Sequence, residues 1–150
     1  MKALVIVHLS SLDAYTDAFG EQAGARLAYE FYQKIEDFDG PVFIVDQDWP
    51  VTGSSGPRRA LYRSLQSLTF QKNIYYEHFD EASVEWPAFM EKFREMLKRM
   101  GVSHTVIGGI WYDPDLKTGA VTDIYKFFGD VLPSIVDPKI AAVFPEKKRT

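Results

Sequence analysis

Residues 3–9 read ALVIVHL, an apolar, β-branched run with almost no polar alternation. A strand with one wet face alternates, so an unbroken run of this kind implies a strand buried on both faces, as in a parallel sheet covered by helices. The segments that follow keep to that plan. Val42 to Val45, Asn73 to Tyr76 and Thr105 to Ile110 read as further strands, each separated from the next by a stretch of helical period. From Glu21 to Glu36, Ala23, Leu27, Phe31 and Ile35 recur four apart while Glu21, Arg26, Glu30 and Lys34 take other faces, and Asp39-Gly40-Pro41 ends the helix. Leu61, Leu65 and Leu68 mark a second helix from about Pro57. A third has Ser83 as cap, Pro87 in its first turn, Phe89, Phe93 and Leu97 on one face, and Lys98 and Arg99 before Gly101. Val121, Ile124, Tyr125 and Phe128 mark a fourth, ending near Gly129. Val131 to Val136 and Ile140 to Phe144 both look extended, but Pro133 and Pro138 suit an edge better than a centre.

Strands alternating with helices imply right-handed crossovers and helices on both faces. The expected fold is therefore α/β: a three-layer α/β/α sandwich, Rossmann-like, around a mostly parallel sheet of about five or six strands. Residues 1–150 are expected to form a single domain with a short basic tail over 145–150, since a chain of this length buries enough surface for one core.

A net charge of −4 and a pI near 5.4 argue against nucleic acid as the main partner, because phosphate binding needs a local excess of Lys and Arg. No apolar run reaches the length of a membrane span, and Ala3 to Leu9 is short for a signal-peptide core, so no membrane partner and a cytoplasmic location are expected. With no cysteine in the chain there is no disulfide, no thiolate nucleophile and no sulfur-ligated zinc. The sequence assigns no cofactor and no metal.

In a sheet of this kind ligands bind beyond the carboxyl ends of the strands. The residues there are His8, Ser10, Ser11 and Asp13; Asp46 and Asp48; Glu77, His78 and Asp80; and Trp111, Tyr112, Asp113 and Asp115. His8 is the leading candidate, an imidazole at the end of the first strand able to act as a general base near neutral pH. Asp13, Glu77 and Asp113 are candidate carboxylates to complete an acid/base constellation with it. Neighbouring strand residues point to opposite faces, so Glu77 and His78 share a site only where the strand has ended. Residues 52–59, TGSSGPRR, open a helix whose free amides and two guanidinium groups suit an anion, which nominates Ser55 and Arg58. The stretch has neither the Gly-Lys-Ser/Thr ending of a Walker loop nor a dinucleotide fingerprint. Ser10, Trp111, Tyr112 and Thr118 complete the expected ligand-binding set. Asp46-Gln47-Asp48 follows a strand like the Asp-x-Asp of haloacid-dehalogenase-like phosphatases, but continues Trp49-Pro50.

The order of these features resembles the isochorismatase-like hydrolases. The resemblance is carried by ALVIVHL, the glycine-containing loop through Gly56 to Leu61, IYYEHF, GVSHTVIGG and SIVDPKIA, and spans most of the chain through hydrophobic pattern and a few glycines. It implies a three-layer fold and a family mechanism that uses a carboxylate after the first strand, a lysine after the third and a nucleophilic cysteine after the fourth. Those positions fall on His8, near Glu77, and near Thr118 or Gly119, so the cysteine, the lysine and the first-strand aspartate are missing. A carboxylate in place of an ammonium reverses the local charge, and the thiolate chemistry cannot be inherited.

Two readings stay open: a hydrolase of small molecules without a cysteine nucleophile, in which His8 or Glu77 activates water, or a catalytically silent domain that binds a ligand or a protein through its aromatic residues. Tyr29, Phe31 and Tyr32 make the first long helix apolar on more than one side, so a homodimer is also expected.

Overall fold

The computed structural model describes residues 1–46, 56–78, 84–113, 115, 117 and 119–143. Its strands are β1 (Lys2–Val7), β2 (Val42–Asp46), β3 (Ile74–His78), β4 (His104–Ile110) and β5 (Ser134–Ala142). They form one parallel sheet in the order β3-β2-β1-β4-β5. The helices are α1 (Leu12–Phe19), α2 (Glu21–Asp37), α3 (Gly56–Leu68), α4 (Trp86–Arg99) and α5 (Ala120–Phe128), with a 3-10 turn over Leu9–Ser11 between β1 and α1. The expected α/β sandwich is the fold observed. Among the described residues no helix is long and apolar enough to cross a membrane.

The chain steps from β1 to β2 to β3 in one direction, then returns past β1 to β4 and β5. Because right-handed crossovers are kept throughout, reversing direction moves the helices to the other face. α2 and α3 accordingly pack on one side through Leu27, Phe31, Ile35, Leu61 and Leu65 against Leu4, Ile6 and Ile44. α4 and α5 pack on the other through Phe93, Leu97, Val121, Ile124 and Phe128 against Val5, Val7 and Phe43. β1 is buried along all but its first residue, Lys2, which is why its sequence does not alternate.

Much of the aromatic content lies in this second layer. Trp86, Phe89 and Phe93 stack successively along α4, Phe93 meets Phe43 edge-on at 5.6 Å, and Phe43 stacks on Tyr75 at 5.0 Å. Trp86 Nε1 donates to Asp123 of α5 at 3.2 Å, and Arg94 lies over the Phe127 ring and donates to the Phe127 carbonyl. On α2, Phe31 is a core residue with no exposed surface, whereas Tyr29 is 60% exposed. The apolar character of that helix therefore serves the core more than an outer face, because Phe31 falls on the Leu27–Ile35 stripe.

Two elements differ from the sequence expectation. Ser10, Ser11 and Asp13 read as loop residues, but Leu12, Tyr15 and Phe19 recur at helical spacing and form α1, with the Tyr15 and Phe19 rings 4.8 Å apart. The two extended stretches at the end form the single strand β5, whose register against β4 breaks between Val136 and Ala141. The extra residues bulge, and Pro138 sits within them.

Beneath the bulge a hollow of about 360 Å³ separates β5 from α2, and Lys34 bridges it to Asp137 at 2.9 Å. Burial works to raise the Asp137 pKa, but the Lys34 hydrogen bond, the Lys139 amide and both ammonium charges outweigh it and hold the carboxyl below its usual value. A carboxyl depressed in the folded state adds stability above its unfolded pKa and loses it as pH falls through the folded one. Lys34→Met should thus cost about 0.5–1 kcal/mol near neutral pH, with the difference from the parent vanishing in acid. Urea titrations from neutral pH down to strong acid measure it; a difference that persists when Asp137 is protonated would assign Lys34 a packing role instead.

Candidate functional site

The carboxyl edge of the sheet is built around the residues that leave β1. Each apolar residue of β1 is held by the strands beside it, but at His8 the chain turns out of the sheet with φ 62° and ψ 43°. That is the left-handed region, costing roughly 1–2 kcal/mol for a residue with a Cβ. Trp111, just past β4, has φ 78°, and these two are the non-glycine residues of positive φ among those described. They leave neighbouring strands at the point where the chain's direction across the sheet reverses. His8 is 5% exposed.

The turn after His8 is fastened on both sides. Toward β2, the His8 amide donates to the Val45 carbonyl at 2.9 Å. The Ser10 amide donates to Asp46 Oδ2 at 2.7 Å and the Ser10 hydroxyl to Asp46 Oδ1 at 2.5 Å. Toward β4, Trp111 Nε1 donates to the Ser11 hydroxyl at 2.9 Å. Asp46 also accepts from Tyr62 of α3 at 3.1 Å, so one buried carboxylate ties the β1 turn, the end of β2 and α3 together. Burial, then the negative charge of Asp46, raises the Tyr62 phenol well above its ordinary value, which keeps it a donor at any ordinary pH. One turn earlier on α3, Arg58 reaches Asp13 of α1 at 2.9 Å and lies over the Tyr62 ring at 5.3 Å. Burial works to lower the Arg58 pKa, but the Asp13 hydrogen bond and its other partners leave it raised.

Of the sequence candidates, the structure thus gathers Ser10, Asp13 and Arg58 on the α1–α3 face, and brings Trp111 to them through Ser11. Tyr112 packs with the α4–α5 layer, and its amide donates to the Ala142 carbonyl. Asp113 serves its own loop: its two carboxylate oxygens accept the amides of Asp115 and Lys117, and its amide donates to Thr122 at 3.2 Å. Glu77 lies on β3, two strands away from β1, in register with Val45. Tyr76 packs with the α2–α3 layer and Tyr75 stacks on Phe43 of the other, so alternation places Glu77 on the α4 face, opposite Ser10 and Arg58. Burial raises the Glu77 pKa. Ser55 and Thr118 lie outside the described residues, as do Asp48, Trp49, Asp80, Ser83 and the tail 145–150.

Sequence reasoning names Asp46 at the strand-end rim but gives it no place in the catalytic or ligand-binding set, and it does not name Tyr62 at all. The signal for Asp46 was its place as the last residue of an apolar strand, where the pleat still turns its side chain toward the α3 layer. Tyr62 follows Leu61 and gave none, since its hydroxyl matters only once α3 is laid against β2. Among the described residues no group of three or more His, Cys, Asp or Glu side chains is placed to hold a metal ion.

The two left-handed residues are distinguishable from ordinary turn positions by mutation. His8→Ala keeps the backbone cost and removes the imidazole; His8→Gly removes both. The glycine variant should be the more stable of the two by about 1 kcal/mol, the reverse of the usual order. Denaturant unfolding of the pair measures it, and an alanine variant at least as stable as glycine would mean that His8 bears no strain.

No protein-family model, curated protein or solved structure matches the chain.

Proposed function

We propose that this chain binds a small molecule at the carboxyl edge of its sheet, in the crevice where β1 and β4 part. The observation that carries the reading is the pair of left-handed non-glycine residues, His8 and Trp111, at adjoining strand ends. Backbone strain of this kind persists where surrounding contacts hold it, and it concentrates at binding and catalytic sites. Here the holding contacts are the Ser10–Asp46 and Ser11–Trp111 hydrogen bonds. Strand ends at which chain direction reverses are also where open α/β sheets take ligands. The carboxylates of Asp46, Asp13 and Asp113 already accept hydrogen bonds from the protein, which supports binding over acid/base work by those groups.

A thermal-shift series against nucleotides, small carboxylates and divalent metals tests the proposal. A ligand at a hundredfold its Kd should add about 2.7 kcal/mol, or roughly 5–10 °C for a chain of this size, and the shift should be lost in His8→Ala and Trp111→Ala. A ligand whose shift survives in both variants would place its site elsewhere.

A second reading, hydrolysis without cysteine, is favoured by one contact. The Ser10 hydroxyl donates to the buried Asp46 carboxylate, and a carboxylate in that position is a base able to take the hydroxyl proton of an attacking serine. It agrees with the resemblance to isochorismatase-like hydrolases in reaction class and departs from it in chemistry. Covalent labelling of Ser10 by a fluorophosphonate, absent in Ser10→Ala, would support it; an unlabelled native chain would leave Ser10 a structural residue.

A further inference from the structure

The two edges of the sheet are built differently. β5 carries Pro138, a bulge and Lys139 within its length, all features that discourage pairing with another strand. β3 reads IYYEH, with no proline, glycine, lysine or bulge, and its Ile and two Tyr residues favour strands. The two most exposed large apolar residues among those described, Phe70 at 91% and Val84 at 94%, stand four residues before β3 and six after it.

The ladder with β2 shows which backbone groups of β3 face outward. The Val42 amide donates to the Asn73 carbonyl at 2.9 Å, and Val42 is in register with Ile74. In a parallel ladder this directs the amides and carbonyls of Asn73, Tyr75 and Glu77 toward β2, and those of Ile74, Tyr76 and His78 away from the sheet. A strand running antiparallel along this edge would meet Ile74 and Tyr76 with both groups ready.

We infer that β3 pairs antiparallel with β3 of a second copy of this chain, about a twofold axis through Tyr76. In that register Tyr76 faces the partner's Tyr76 as a hydrogen-bonded pair, each exchanging its amide and carbonyl. Tyr75 faces the partner's Glu77 as a non-hydrogen-bonded pair, the kind in which side chains approach most closely. Both point to the α4 face. Tyr75 is 42% exposed and offers a hydroxyl donor; the Glu77 carboxylate, whose ionised form burial disfavours, is the acceptor, and twofold symmetry makes the contact twice. The segment is thus self-complementary, which argues for a second copy as the occupant, and the two sheets join into one of ten strands.

Charge at position 75 tests both edge and register. Tyr75→Glu sets a carboxylate against the partner's Glu77 and should weaken dimerisation at least tenfold by sedimentation equilibrium, whereas Tyr75→Lys sets an ammonium there and should retain the dimer. A native chain that stays monomeric to about millimolar concentration, a dimer indifferent to Tyr75→Glu, or equal loss in both variants would overturn the inference. Should a variant fail to fold, hydrogen exchange on the native chain decides: the Ile74 and Tyr76 amides gain protection with rising concentration if the strands pair, and do not if they do not.

Discussion

Asp46→Ala is expected to cost about 3–5 kcal/mol, a large part of the stability of a domain this size. The carboxylate is 5% exposed and receives the Ser10 amide, the Ser10 hydroxyl and the Tyr62 hydroxyl. Alanine leaves three donors in a place with little water, and each unsatisfied buried group costs about 1–3 kcal/mol. The loss is also geometric, because Asp46 holds the turn in which His8 takes its left-handed conformation. Asp46→Asn should fall between, since its amide keeps one acceptor and presents N–H groups to donors. Adding Tyr62→Phe to Asp46→Ala removes one orphaned hydroxyl, so the double variant should be less destabilised than the sum of the singles. Denaturant unfolding of the four proteins measures the coupling; strict additivity would mean that Asp46 and Tyr62 act independently.

Gly109→Ala should be comparably severe, at about 4 kcal/mol or a failure to fold. Gly109 has φ 136°, and a Cβ there would run into the backbone carbonyl and amide of Val7, its register partner on β1. Val7 belongs to the central, fully packed strand and cannot retreat. Gly20→Ala is the control. Its φ of 100° is similarly unfavourable, but a Cβ there meets nothing within 4 Å, so strain alone applies, at about 1–3 kcal/mol. Thermal melts of the two variants separate close approach from conformation. Equal losses would show that the β1–β4 contact is looser than the backbone places it.

Read along the chain, the pattern was informative wherever burial has a period. ALVIVHL announced a central strand because β1 is covered on both faces, and the four-residue recurrence of Leu27, Phe31 and Ile35 announced α2 because one stripe of that helix meets the sheet. The sequence of β5 reads as two pieces because Pro138 interrupts the period, and nothing local tells a bulge from a loop. α1 does not stand out in the sequence because its apolar stripe is short and begins among serines and an aspartate that suit a turn equally well.

The candidate site was legible only as a location. His8, Ser10, Asp13, Arg58 and Trp111 could be named because strand ends are where a parallel sheet exposes functional groups. Which of them meet was not in the pattern. Arg58 finds Asp13 across 45 positions, and Trp111 finds Ser11 across 100, because α3 is laid beside α1 and β4 beside β1. By itself, then, the amino-acid order determined the α/β class, the parallel sheet, most of its helices and the absence of thiol chemistry, all properties of single residues or of short-range periodicity. Tertiary structure alone decided the strand order, the left-handed turns at His8 and Trp111, the pairing of Asp46 with Ser10 and Tyr62, and which strands, β3 and β5, stand at the edges of the sheet. Each of these depends on which segments become neighbours, and that is set by the packing of the whole core rather than by any one stretch of the chain.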